Sequence, residues 1–221
     1  ESNYNTQNAG ITVRHGDRNN MIAGGISYQH SDLKSNQVFP EKTDVHYTFE
    51  NFLANAFGRF KIGKYGSIRT FYRGSVNSPS VTQLQNVINT SNQLFYTAGN
   101  PDLKQQYTHR GMLRYSYANR LNSTSFFGSF YVSGINNYIS NATYTASKDS
   151  VLADGIILRR FSQLSKPVNL NGYISARSFY AYSMPLKFMK TNLNVNGGFG
   201  YARQPGLLNN VKNISHNYNY S

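Results

Sequence analysis

The side chains in this sequence that could do chemistry are its histidines, carboxylates and basic residues. The five histidines are His15, His30, His46, His109 and His216. No two of them stand at the HxH or HxxxH spacing that would bring two imidazoles to one metal ion. The nine Asp and Glu residues are thinly spread, and no two sit where paired general acid–base work would need them. There are no cysteines, which excludes thiol catalysis, zinc ribbons and a disulfide framework. No Gly-x-Ser-x-Gly elbow occurs. Gly197-Gly198-Phe199-Gly200 lies within a strand pattern with no helix after it, so it is not read as a phosphate loop. The sequence therefore points away from an enzyme, and neither a metal nor a cofactor is expected.

What remains is cationic. Lys and Arg number 22 against 9 acids, a net charge of +13. The basic residues are scattered, and no Lys/Arg run exceeds Arg159-Arg160, so nucleic acid is not the expected partner. Four arginines occupy a pattern. Ile68, Thr70 and Tyr72 alternate with Arg69, Phe71 and Arg73, and Leu113, Tyr115 and Tyr117 alternate with Arg114 and Ser116. Arg177 takes the same place opposite Ile174, Ala176 and Tyr180. Period-2 alternation gives a strand one apolar and one polar face. Arg69, Arg73, Arg114 and Arg177 would share the polar face. There they contact a ligand or an internal partner, pair with acids on neighbouring strands, or sit in water.

The elements that carry these residues are strands throughout. Charged residues make up 14% of the chain, and Tyr and Phe number 18 and 14, whereas soluble domains average about 25% charged. No helical repeat is sustained, and no apolar run approaches the roughly 18 residues of a spanning helix. A mean hydropathy of −0.53 is compatible with strands that show only alternate residues to lipid. Strands are expected at 9–13, 22–28, 45–61 (with a bulge near Phe52-Leu53), 67–77, 107–117, 124–133, 168–182 and 191–203, with a last one beginning after 213. That makes about nine, several of them longer than the roughly five or six residues usual in soluble sheets. Short turns are expected at 15–20, 62–66, 118–123 and, at Pro185, 183–190. Long loops are expected at 31–44 (which contains Pro40), 78–106, 139–166 and 204–213. Long loops on one side and short turns on the other are the arrangement of a membrane barrel. Tyr28, Tyr117, Tyr182 and Tyr201, near strand ends, suit interfacial aromatic girdles. Asn192, Asn194 and Asn196 face water at little cost but would be expensive in a dry core.

Arg73, then Pro79-Ser80-Val81 and Gln83-Leu84, then Gly99-Asn100-Pro101-Asp102-Leu103-Lys104, resembles the mid-barrel signature of TonB-dependent outer-membrane receptors. It is most similar to a Gram-negative branch described simply as outer-membrane β-barrel proteins. Full members carry Leu-Lys-Pro-Glu where this chain has Leu103-Lys104-Gln105-Gln106. The resemblance implies an all-β fold: an antiparallel, up-and-down transmembrane β-barrel, of which residues 1–221 form a single partial segment. The parent would be a barrel of about 22 strands, with both ends of the present chain read as cuts and no plug domain within it. It implies residence in the cell outer membrane and uptake of a bulky solute, unidentified by the sequence. Membrane lipid, a plug domain and TonB would be partners in the full-length protein. The family-motif loop would comprise Pro79, Ser80, Gln83, Leu84, Gly99, Asn100, Pro101 and Leu103, in an outer loop where a ligand first docks. Attraction of the positive charge to lipopolysaccharide phosphates, an acidic substrate or an acidic plug is the sharper alternative to a merely solvated surface. The competing reading is a soluble extracellular β-sandwich or adhesin that binds glycan or protein through its loops. In a sandwich, Leu193, Val195, Phe199 and Tyr201 would be buried under a second sheet.

Overall fold

A computed structural model describes residues 2–37, 43–85, 87–152 and 155–221. Nine long strands form one antiparallel meander. They are β1 (Ser2–Gly16), β2 (Met21–Gln37), β3 (Thr43–Ile62), β4 (Gly66–Asn77), β7 (Gln106–Asn119), β8 (Thr124–Asn136), β13 (Tyr173–Leu186), β14 (Thr191–Leu208) and β15 (Val211–Tyr220). Shorter elements lie between them: the helix α1 (Val81–Leu84), β5 (Ile88–Asn89), β6 (Phe95–Ala98), β9 (Tyr138–Thr145), β10 (Ser150–Val151), β11 (Ile157–Leu158) and β12 (Gln163–Leu170).

The register puts the alternation of each strand in phase with its neighbours. Thr70 faces Leu113, Leu113 faces Phe130, Phe130 faces Ser178, Ser178 faces Phe199, and Phe199 faces Tyr220. The parallel row above joins Gly24, Ala56, Tyr72, Gly111, Val132, Ala176 and Tyr201. These rows make one continuous apolar face. Among the described residues nothing covers it: Ile11 is 76% exposed, Phe52 67% and Val195 54%. Among the described residues no second sheet lies against Leu193, Val195, Phe199 or Tyr201, so the sandwich arrangement is not the one adopted. Leu193 to Tyr201 is nine residues, the length a tilted strand needs to cross a bilayer, about nine to eleven. Tyr28, Tyr117, Tyr182 and Tyr201 all fall on this face, and Tyr28 packs on Phe52 with ring centroids 5.5 Å apart.

Short turns close one rim of the sheet. Asp17 shapes the first of them by accepting hydrogen bonds from the backbone N–H groups of Asn19 at 2.7 Å and Asn20 at 2.8 Å. Gly63, at φ +59°, opens the second. The other rim carries the long connections, as expected, with two exceptions. The stretch 31–44 is mostly hairpin: β2 and β3 stay paired up to Gln37↔Thr43, with Pro40 outside the described residues. The stretch 204–213 is not a loop either. β14 and β15 remain paired to Leu208↔Val211, and Asn209 and Asn210, both at positive φ, make a two-residue turn. Such a turn needs residues that tolerate the left-handed region, and Asn is one of the few.

Other expectations need correction. No bulge occurs at Phe52-Leu53, because Phe52↔Tyr28 and Leu53↔Ser27 continue the register without a break. The alternation slips there because Leu53 is an apolar residue on the polar face. Pro185 is paired within β13, and the turn is a 3-10 turn at Lys187–Met189. The expected strand 168–182 is broken at Asn171-Gly172, where Gly172 has φ +108°. The β8 side breaks at Asn137, at φ +53°, so the hairpin β8–β13 continues past a kink as β9–β12. Beyond the kink the pairing is no longer purely antiparallel. β12 pairs β6 in parallel, and β9 pairs the end of β14 in parallel. Among the described residues the sheet does not close: β1 pairs only β2, and β15 only β14.

Two outcomes are expected. Phe199→Arg, on the apolar face, should destabilise the bilayer-inserted chain by about 2–4 kcal/mol. Asn196→Arg, on the polar face, should stay within about 0.5 kcal/mol; urea titration in phospholipid bilayers measures both. The second concerns acid. Two N–H donors hold the Asp17 carboxyl below its usual range. Its folded value is lower than its unfolded one, so its contribution is complete above the unfolded value and is lost as pH falls through the folded value. Amide exchange at the 17–20 turn should therefore quicken only below about pH 4, and Asp17→Asn should remove that acid step.

Candidate functional site: an arginine-bearing face and a latched loop

The polar face of the meander collects the arginines. Arg59, Arg69 and Arg114 are direct cross-strand neighbours on β3, β4 and β7. Arg73 and Arg110 form a second direct pair on β4 and β7. Arg177 on β13 faces Tyr131 and shares with Arg110, Phe71 and Phe179 a cleft of about 500 Å³. All four arginines singled out from the sequence thus lie on one face. Arg59 and Arg110 were missed. Arg110 stands four residues before Arg114 and so shares its face of the strand; that spacing could have found it.

Like charges directly opposite one another on a sheet are destabilising, and acids could relieve them. Among the described residues, none does. The ion pairs are Lys34–Asp32 at 3.0 Å, His46–Asp32 at 2.7 Å and His30–Glu50 at 3.8 Å. They lie on the opposite face, past Tyr28 towards the long-connection rim, where Lys34 and then His46 hold the Asp32 carboxyl below its usual range. The arginines have softer neighbours. Arg114 donates from Nη2 to the Tyr131 hydroxyl at 3.3 Å and lies 5.3 Å from the Phe127 ring centroid. Arg59 lies 5.8 Å from that of Phe57. The Nε–H groups of Arg59 and Arg114 are buried and have no hydrogen-bond partner among the described residues. At the short-turn rim the same face opens into a cleft of about 540 Å³, whose charged lining is Arg18, Arg59, Lys61, Lys64, Arg69 and Arg120.

The motif residues serve a different structure, at the opposite rim. The Ser80 hydroxyl accepts from the Gln83 N–H at 3.3 Å and the Gln83 side chain accepts from the Ser80 N–H at 3.0 Å. This reciprocal cap starts α1 directly after the buried Pro79. Leu84 and Leu103 are 2% and 4% exposed and form a small core with Leu33 of β2. Tyr47, Phe49 and Ile139 pack around that core. Gly99 packs so closely that a Cβ there would collide with the Gln85 carbonyl oxygen. The Asn100 N–H donates to the Gln83 carbonyl at 2.6 Å, and its side chain donates to the Pro167 carbonyl at 2.9 Å. The Pro101 carbonyl accepts from the Tyr47 hydroxyl at 3.0 Å. All eight motif residues thus lie in one latch that runs across the polar face, tying β2–β3 on one side to β9–β12 on the other.

Asparagines complete the latch. The Asn169 side chain accepts from the Lys104 N–H at 2.7 Å and donates to the Lys104 and Asn137 carbonyls at 3.0 and 2.8 Å. Asn171 accepts from the Asn137 N–H at 2.9 Å. A second small core of Tyr96, Ala146 and Leu158 sits further along the same connections. Among the described residues no group of three or more His, Cys, Asp or Glu could hold a metal ion.

With this geometry in hand, three comparisons bear on the chain. The sequence profile described as the outer membrane protein beta-barrel family matches residues 11–221. No curated protein matches the chain. Among solved structures, the chain is similar to the siderophore receptor PirA from Pseudomonas aeruginosa, with a TM-score of 0.52 and 9% identity, covering 98% of this chain and 44% of that one. It is also similar to a mutant of the ferric enterobactin receptor PfeA from the same organism, with a TM-score of 0.51 and 9% identity, covering 91% and 36%. The chain therefore spans less than half the length of either receptor, and at this identity the likeness is one of fold.

Gly99→Ala tests the latch. It should open segment 85–98 to limited proteolysis, with cleavage several-fold faster than in the parent, while the nine long strands stay protected.

Proposed function

Because the chain belongs to the outer membrane protein β-barrel family, we propose that it forms part of the wall of an outer-membrane receptor that imports a bulky solute with energy relayed through TonB. The observation that carries this reading is the two-faced meander: a membrane-length apolar face with none of the described residues packed over it, and an opposite face lined by arginine and asparagine. In the outer membrane the first face meets lipid and the second faces the lumen. The short turns then lie in the periplasm and the long connections outside. Siderophore receptors of similar fold support a receptor wall, and an internal plug is part of the proposal. The solute of this chain is left open.

In this reading the wall does no chemistry on the solute. The latched segment 78–105, held over the lumenal face, is the surface a solute first meets. A plug domain from elsewhere in the full-length protein fills the space the arginines face, and its release is what TonB drives.

The test is depletion of solutes from a complex medium by cells that produce the full-length protein. One or a few solutes should disappear from the medium only when TonB is intact. Equal depletion without TonB, or steady ion conductance of the purified protein in planar bilayers, would identify an open pore instead.

A further inference from the structure

Leu193, Val195, Phe199 and Tyr201 take the apolar face of β14, and the next position on that face is Arg203. Arg203 pairs with His216 of β15, in the row next above the pair Tyr201↔Tyr218. Lys212, four residues before His216 on β15, has the same parity and so the same face. The two cations meet at the kink. Arg203 donates from Nη1 to the Gly172 carbonyl at 3.4 Å, and Lys212 donates from Nζ to the Asn171 carbonyl at 3.2 Å. Nδ1 of His216 lies 3.0 Å from the Tyr201 hydroxyl, and its Nε2 has no hydrogen-bond partner among the described residues. No acid neutralises this group. After Asp154 the sequence holds eight Lys and Arg and no Asp or Glu, and the ion pairs among the described residues all lie on β2 and β3. Two positive charges therefore share one spot with only neutral carbonyls as acceptors.

The height of this spot selects its ligand. It sits where the membrane-length apolar stretch ends on the long-connection side, and lipid headgroups begin where the hydrocarbon ends. Tyr201 and Tyr218, with ring centroids 5.3 Å apart, lie directly beneath it, the place aromatic side chains take at headgroup level. A guanidinium and an ammonium offer several N–H donors to one phosphate. Phe199 and Tyr220, 40% and 78% exposed, continue the same face below and give acyl chains an apolar bed. A free anion gains nothing from that bed. We propose that Arg203, Lys212 and His216 form a site for the phosphate of a membrane lipid in the outer leaflet. This rests on the reading of the apolar face as lipid-facing. The site lies on the outside of the wall and is independent of whatever fills the lumen.

The chain has no tryptophan, so Tyr220→Trp provides a single fluorophore beside the acyl chains below the site. The full chain carrying it is inserted into phosphatidylcholine bilayers. Brominated phosphatidic acid and brominated phosphatidylcholine are then added in separate series, and the ratio of their quenching gives the preference for the phosphate-bearing lipid. That preference should be about fivefold. It should fall below about twofold in Arg203→Gln/Lys212→Gln and stay unchanged in Lys148→Gln/Arg159→Gln, which removes the same charge from the long connections. Lys212→Gln alone, at an exposed side chain, should at least halve the preference and serves should the first double variant fail to insert.

Equal losses in the two double variants would overturn the proposal, because net charge alone would account for the preference. So would loss of the preference in millimolar inorganic phosphate, which would mark a site for the free anion. Quenching by both lipids with no preference would overturn the proposal and leave the lipid-facing reading standing. No quenching by brominated phosphatidylcholine would overturn that reading and the proposal with it. None of these readouts involves uptake, so a failed depletion assay bears only on transport.

Discussion

In hydrocarbon there is no water to satisfy a backbone N–H or C=O, so a membrane-crossing strand must place all of them in ladders with its neighbours. That constraint explains the architecture of this chain. Nine long strands lie side by side with unbroken antiparallel register, from Ser2↔Ser35 at one edge to Phe199↔Tyr220 at the other. Once the ladders are fixed, the strand period of two residues decides everything else about the wall. Every odd or even set must be wholly lipid-facing or wholly lumenal, which is why Leu113, Phe130 and Phe199 align in one row and Arg69 and Arg114 in another.

The two rims differ because only one of them carries folded structure of its own. At the short-turn rim the chain needs only reversals, and Asp17 and Gly63 suffice. At the other rim β2 and β3 run to 17 and 20 residues, longer than the roughly nine to eleven a tilted strand needs to cross a bilayer, and the connections there fold against the arginine-bearing face. Asn137 and Gly172 provide the kink, and side-chain amides replace the ladder where the backbone turns away from it. The signature residues Pro79 to Leu103 are explained at this level. Ser80 and Gln83 cap a single helical turn, Leu84 and Leu103 fill a small core, and Gly99 allows two backbones to touch.

What the sequence revealed follows the same division. Within the bilayer one face must be apolar, so the alternation from Leu193 to Tyr201 read clearly, and the strand count and the sidedness of the connections followed from it. Where both faces of a hairpin carry polar residues, as at Asp32↔Thr48 and Lys34↔His46, alternation no longer reports pairing. For that reason Asp32 and Lys34 looked like loop while they sit in a paired strand, and 204–213 looked like loop because Pro205, Asn209 and Asn210 lie in it. The arginine face was half legible. Arg69, Arg73, Arg114 and Arg177 could be placed by parity, but their alignment with Arg59 and Arg110 depends on register between strands far apart in sequence. The eight motif residues could be identified, though not their convergence, because α1 and Gly99 meet only through the folded connection.

The central claim is that the apolar face meets lipid and the arginine-bearing face meets water. The chain has no cysteine, so single cysteines can be introduced one at a time along β14 and spin-labelled in phospholipid bilayers. The account expects labels at Leu193→Cys, Val195→Cys and Phe199→Cys to be accessible to oxygen and shielded from a water-soluble nickel chelate, and labels at Asn194→Cys and Asn196→Cys to show the reverse. Equal exposure of both sets to the nickel chelate would contradict it, because the strand would then lie in water on both sides.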